Sequence, residues 1–159
     1  AERGVASEAE RIDVAQLAHD LFAEYHPEAE KASLHFNLEL TPRLGYVMAS
    51  RLYLHELLQN FITNSIKYTR EGHITLKIHK KAGTVVFEVT DTGIGISKSD
   101  QAKIFNKFYR SEDYRTRETS GTGLGLYVAR KLSKKMGTSI TLKSRLNHGS
   151  TFSFSLPSA

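Results

Sequence analysis

Asn60 and Asn64 stand four residues apart in the stretch RLYLHELLQNFITNSIKYT (51–69), with Lys67 and Tyr68 one turn further on. In a helix that spacing points both carboxamides the same way. A mid-helix Asn costs roughly 0.5 kcal/mol or more against Ala, so a surface needing only solubility is better served by Glu, Lys or Gln. Neutral oxygen ligands suit a hard cation such as magnesium that is otherwise satisfied by phosphate and water, and the lysine suits the phosphate itself. On the helix alone, two solvated asparagines on an amphipathic surface remain an equal alternative. A second set is Asp91-Thr92-Gly93-Ile94-Gly95-Ile96 at the exit of a strand. Its carboxylate can accept a hydrogen bond from an exocyclic amine, and its glycines admit backbone close to a flat ring, although Asp-x-Gly is also an ordinary turn. A third is Gly121, Gly123 and Gly125 before a helix, where free N–H groups and the positive dipole end favour phosphate. Its G-x-G-x-G spacing lacks the preceding parallel strand of a dinucleotide fingerprint.

These residues need elements to position them. Leu54, Leu57, Leu58, Phe61, Ile62 and Ile66 recur every three or four positions and predict one long helix over 51–69 with a single buried stripe. Before it, Ile12 to Glu30 reads as a helix with Asp13 as N-cap and Pro27 ending its regular part. Ser33 to Leu40 alternates as a strand, turned by Thr41-Pro42 into a short partner strand, Tyr46 to Ala49. After it, His73–Lys80 and Thr84–Thr90 form a hairpin that runs into Asp91. Ser97 to Tyr109 gives a short helix and a turn, and the polar segment 111–120 is a candidate lid. A helix from the glycine cluster to about Met136 ends at Gly137, and Ser139–Leu146 with Ser150–Leu156 makes a closing hairpin. The sum is an α+β two-layer sandwich: a mixed, mostly antiparallel sheet with helices on one face.

At 159 residues the chain is the size of one domain. It has no cysteine, which excludes disulfides and thiolate metal sites and fits a reducing compartment. No apolar run approaches the length of a bilayer span, and 1–11 reads as a linker rather than a signal peptide. The formal net charge of +5 suits a polyanionic ligand. In the sequence it is scattered rather than gathered in a basic block, which argues against nucleic acid.

Five boxes occur in order: Asn60-x-x-x-Asn64-x-x-Lys67-Tyr68; Asp91-x-Gly93-x-Gly95; Ile104-Phe105-x-x-Phe108-Tyr109-Arg110; Gly121-x-Gly123-x-Gly125-Leu126; and Gly149-Ser150-Thr151-Phe152. Together they resemble the catalytic and ATP-binding domain of two-component sensor histidine kinases, of the Bergerat or GHKL ATPase type, over about 12–157. The resemblance implies ATP and Mg2+ as cofactors. It implies that Asn64 ligates magnesium with Asn60 assisting, that Lys67 contacts phosphate, and that Tyr68 packs on the adenine or ribose. Asp91 reads the adenine amine in a pocket shaped by Gly93, Gly95 and Ile96. Gly121, Thr122, Gly123, Leu124, Gly125 and Leu126 cover the triphosphate, and Thr151 closes the adenine side through water. Phe105, Phe108 and Tyr109 anchor the lid, and Arg110 reaches phosphate or the partner helix. The implied partners are a helical phosphoacceptor and dimerisation domain of the same kinase and a response regulator receiver domain. The domain itself is expected to be monomeric and without membrane contact, in the cytoplasmic portion of a bacterial sensor.

His19-Asp20-Leu21 and His55-Glu56-Leu57 have only the start of the family's phosphoacceptor box, so both histidines are expected to be structural or surface residues, with the acceptor domain absent from 12–159. Related ATPases of the chaperone, mismatch-repair and gyrase types carry a glutamate where Asn60 stands. Water needs such a base, whereas a neutral imidazole already has a free lone pair, so Asn60 favours transfer to histidine over hydrolysis. A Bergerat-type ATPase, an anti-sigma-type serine kinase and a non-catalytic nucleotide-sensing module are the alternatives.

Overall fold

The computed structural model describes residues 8–109 and 125–159. The elements run β1 (Glu10–Asp13), α1 (Val14–Lys31), β2 (Leu34–Leu40), β3 (Tyr46–Ala49), α2 (Arg51–Tyr68), β4 (Gly72–Lys81), β5 (Thr84–Asp91), α3 (Lys98–Gln101), α4 (Gly125–Lys135), β6 (Thr141–Ser144) and β7 (Ser150–Pro157). Five strands form one sheet in the order β2-β4-β5-β7-β6, and β1 and β3 form a separate ribbon. β2 and β4 are parallel and the other pairs are antiparallel. A parallel pair needs a crossover, and α2 lies within it.

Strand alternation sorts the sheet into two faces. Ile74, Leu76 and Ile78 of β4, Val85, Phe87 and Val89 of β5, and Phe152, Phe154 and Leu156 of β7 are buried. They meet Leu54, Leu57, Leu58, Phe61 and Ile62 of α2, also buried. Phe87 stacks on Phe154 at 4.9 Å, and Phe61 stacks on Phe152 at 5.1 Å. The aromatic contacts thus run from the sheet into the same helix that carries the asparagines, which fixes its rotation about its own axis.

Three local expectations are corrected. Pro27 does not end α1, which continues to Lys31. An internal proline forfeits one hydrogen bond and costs about 3 kcal/mol, but Tyr25 and Ala29 on either side of it are buried and hold the last turns in place. Second, β3 pairs with β1, Ile12 opposite Val47, instead of with β2. Both residues are fully buried, so the ribbon closes the end of the core, and Glu10 and Arg11 of the expected linker are part of it. Third, α3 is a single turn capped by the Ser97 side chain, with turns following it to Tyr109.

Candidate nucleotide site

α2 starts cleanly because Ser50 caps it: the hydroxyl accepts from Tyr53 N at 3.2 Å. With the apolar stripe turned to the sheet, Asn60 and Asn64 fall half-buried on the adjoining face and Lys67 is exposed. Asn60 Oδ1 lies 3.7 Å from where a Cβ on Gly125 would be, so the carboxamide sits beside the first residue of α4. The N-terminus of a helix of 11 residues is a place where unpaired N–H groups and the dipole favour an anion. Leu126, the next residue, is half-buried against the core.

Asp91 is the last residue of β5 and is 7% exposed. Its Oδ1 accepts from Gly93 N at 2.9 Å and Ser150 N at 3.3 Å, and its Oδ2 accepts from the Ser65 hydroxyl at 3.0 Å. Burial pushes this carboxyl above its ordinary pKa, and the three donors pull the other way. An ionised carboxylate offers about four lone-pair sites, so three donors leave capacity for one more.

The turn after Asp91 is held from both sides. Thr92 exchanges hydrogen bonds with His73, its N–H donating to the carbonyl at 3.1 Å and its Oγ1 accepting from His73 N at 3.0 Å. Ile94 N donates to the Tyr68 carbonyl at 3.4 Å, and Ile96 N donates to Ser144 Oγ at 2.8 Å. Gly95, at φ +70°, passes so close to the β6–β7 turn that an added Cβ would sit 2.0 Å from the Arg145 carbonyl oxygen. Gly93 is closely surrounded: an added Cβ would sit 2.6 Å from the Tyr68 carbonyl oxygen, 2.8 Å from Thr69 Oγ1 and 3.0 Å from Asp91 Oδ1, so a side chain there would displace the turn. Thr69 Oγ1 is buried and has no hydrogen-bond partner among the described residues. A buried hydroxyl left in this way suits a bridging water or a ligand group.

The other predicted residues divide. Phe105 meets Phe152 edge-on at 6.3 Å, and Tyr109 donates its hydroxyl to Asp100, so both are fixed to the domain. Phe108 is not an anchor in the described residues: it is 61% exposed, at φ +64°. Arg110, Gly121, Thr122, Gly123, Leu124 and the lid segment 111–120 lie outside the described residues. Thr151 is on the wrong side of the sheet for its assigned role. In β7 the inward residues are the even-numbered ones, and the Thr151 hydroxyl pairs on the outer face with Thr90 at 3.0 Å. Ser150 takes the place beside Asp91, opposite it in register, with its hydroxyl 2.8 Å from Ser144 Oγ. Ser150, Ser65 and Ser144 were missed. Ser150 falls in phase with Phe152, Phe154 and Leu156, and Ser65 lies one turn after Phe61 on a buried stripe, so in both cases the signal was a polar residue at a core position. His55 bonds to Glu24 at 3.1 Å, and His19 is exposed on α1.

A two-layer sandwich with an amide-bearing helix, a helix N-terminus and a buried strand-end carboxylate converging on one edge defines a nucleotide-binding domain. The chain belongs to the histidine kinase-, DNA gyrase B-, and HSP90-like ATPase family, whose model matches residues 49–159. The aerobic respiration control sensor protein ArcB of Escherichia coli (strain K12) is 35% identical over 157 residues, 97% of this chain and 20% of ArcB. The chain therefore spans a minor part of that relative. Among solved structures, full-length ShkA in complex with AMPPNP superposes with a TM-score of 0.84 at 27% identity, covering 95% of this chain and 32% of ShkA. The nucleotide-free catalytic domain of histidine kinase ThkA superposes with a TM-score of 0.80 at 26% identity, covering 94% of this chain and 95% of that domain.

Proposed function

We propose that the domain binds Mg-ATP and presents its γ-phosphate to a histidine on a helical phosphoacceptor domain of the same kinase, from which a response regulator receiver domain is phosphorylated. The observation that carries this is the Ser65–Asp91 hydrogen bond. Ser65 follows Asn64 directly, so one bond ties the helix of the ion-binding amides to the carboxylate that reads the base. Asn64 and Asn60 would hold the magnesium and Lys67 the phosphates. Among the described residues no group of three His, Cys, Asp or Glu is placed to hold an ion. Carboxamide oxygens then suit a magnesium that keeps phosphate and water as its other ligands. When bound, Mg-ATP supplies the phosphoryl group and the charge neutralisation that phosphoryl transfer needs.

The chain's own residues do the rest. Asp91 accepts the adenine amine with its remaining lone pair, and Tyr68, Gly93 and Ile96 shape the space around the ring. Asn60, having no carboxylate, cannot take a proton from water, while Glu56 is one turn back, about 6 Å along the helix axis. That favours an acceptor already nucleophilic when neutral. The domain is read as a monomer on the cytoplasmic side of a sensor, joined to its acceptor domain through the segment before β1. Among the described residues no helix is long and apolar enough to cross a membrane.

Titration calorimetry of Asn64→Ala with ATP, with and without magnesium, tests the ion assignment. The wild-type affinity is expected to rise with magnesium and that of the variant not to; an unchanged dependence removes Asn64 from the role. A separately supplied acceptor domain should gain acid-labile phosphate. Steady ATP turnover without transfer would point instead to a hydrolase, and acid-stable phosphate on a partner to a serine kinase.

A further inference from the structure

Away from the asparagine face, the outer side of α4 and the loop 105–107 enclose a groove of about 500 Å³. Five cationic side chains line it: Lys107 from the loop and Arg130, Lys131, Lys134 and Lys135 from α4. All five are exposed, and no carboxylate among the described residues lines the groove. None is in an ion pair among the described residues. The Lys107 and Lys131 ammonium groups both lie over the same Tyr127 ring, at 5.8 and 5.4 Å from its centroid. Two like charges gathered about one aromatic ring, with no counter-ion among the described residues, are a poor arrangement for these elements by themselves and a good one for an anionic partner. The charge that looked scattered in the sequence is locally concentrated: these five cations equal the whole formal excess of +5.

The shape narrows the partner. On α4 the cations run from Arg130 to Lys135, about one and a half turns or roughly 8 Å, with Arg130 and Lys134, and Lys131 and Lys135, one turn apart. A second helix laid along the groove, with carboxylates at the same spacings, meets each of them in turn. A nucleic acid backbone would be served by a longer basic track. We propose that this groove is a docking surface for an acidic helical protein segment, separate from the nucleotide pocket and independent of the reading of that pocket.

The test uses the 159-residue chain and a fluorescent helical peptide carrying Glu at successive i, i+3 and i+4 positions, with a Lys-for-Glu peptide and a single-stranded oligonucleotide of equal charge as comparisons. The acidic peptide is expected to bind, to weaken as salt is raised, and to lose at least tenfold in affinity with Lys131→Glu/Lys134→Glu. The circular dichroism spectrum and urea midpoint of that variant should match the wild type, which shows that it remains folded. No binding of the acidic peptide at low salt, or binding indifferent to the double charge reversal, would overturn the proposal. So would tighter binding of the oligonucleotide, since the groove would then be a nucleic acid surface. Lys131→Ala/Lys134→Ala, expected to weaken binding less than the reversal, keeps the test open if the reversal variant does not fold.

Discussion

Replacing Gly95 and Gly137 by alanine separates backbone strain from close packing at the candidate site. Both glycines have positive φ, +70° and +76°. At that angle an L-residue costs roughly 1–2 kcal/mol. Around Gly137 nothing lies within 4 Å of an added Cβ, so Gly137→Ala should lose only that amount. At Gly95 the new carbon meets the Arg145 carbonyl oxygen at 2.0 Å and its carbon at 2.8 Å, both backbone atoms. An ordinary C···O contact is about 3.3 Å, so the Asp91 turn and the β6–β7 turn must separate by about 1 Å. Such a shift strains Asn147 N to Ile94 O at 2.6 Å, Ile96 N to Ser144 Oγ at 2.8 Å and Gln101 Nε2 to Ser144 O at 3.0 Å. At about 1 kcal/mol each, the loss totals roughly 4–5 kcal/mol with the backbone term. Urea denaturation gives the two stabilities, and calorimetry with ATP gives the affinities. Gly95→Ala should weaken nucleotide binding at least tenfold even where it is fully folded, and Gly137→Ala should leave it unchanged. Equal losses of stability in the two variants would refute the argument that the turns are held by contact.

Asp91 predicts two opposite pH dependences. A carboxyl whose pKa is raised on folding contributes stability that is fully present below its unfolded pKa and lost as pH rises through its folded one. The nucleotide-free domain should lose that contribution as pH rises from the ordinary Asp pKa through the raised one, while ATP affinity, which needs the ionised carboxylate, rises over the same interval. Asp91→Asn should flatten both curves in denaturation and calorimetry series, and a wild-type affinity that is flat there excludes the role. Ser65→Ala removes a donor to a buried carboxylate, worth about 1.5–3 kcal/mol, and should raise the pH at which ATP affinity is half lost; an unmoved midpoint would break the link drawn between α2 and Asp91. Ser150→Ala is expected to weaken ATP binding several-fold and Thr151→Val to change it less than twofold, and the reverse order would restore Thr151 to the site.

The parts of this domain that were legible in the sequence are those whose periodicity is local. The α2 stripe, the β4–β5 hairpin and the Gly137 stop each depend on residues within one element, and the fold class followed from their order. Of the expectations that changed, the pairing of β3 turns on a partner distant in sequence. β3 alternates like a neighbour of β2, and only the meeting of Ile12 with Val47 pulls it to β1. Thr151 and Ser150 are chemically interchangeable as β-strand hydroxyls; what separates them is phase, since a strand with Phe152, Phe154 and Leu156 inward must also turn Ser150 inward. The basic groove follows the same rule. Arg130, Lys131, Lys134 and Lys135 could be placed on one side of a helix by spacing alone, but nothing local brings Lys107 across to share the Tyr127 ring with Lys131. That juxtaposition exists because α4 packs on α2 while Phe105 is seated against Phe152 of β7. The same core that orients the asparagine face therefore also sets the width of the cationic groove. A core change that loosens Phe105, such as Phe105→Ala, should weaken the acidic-peptide contact without removing any charge from it.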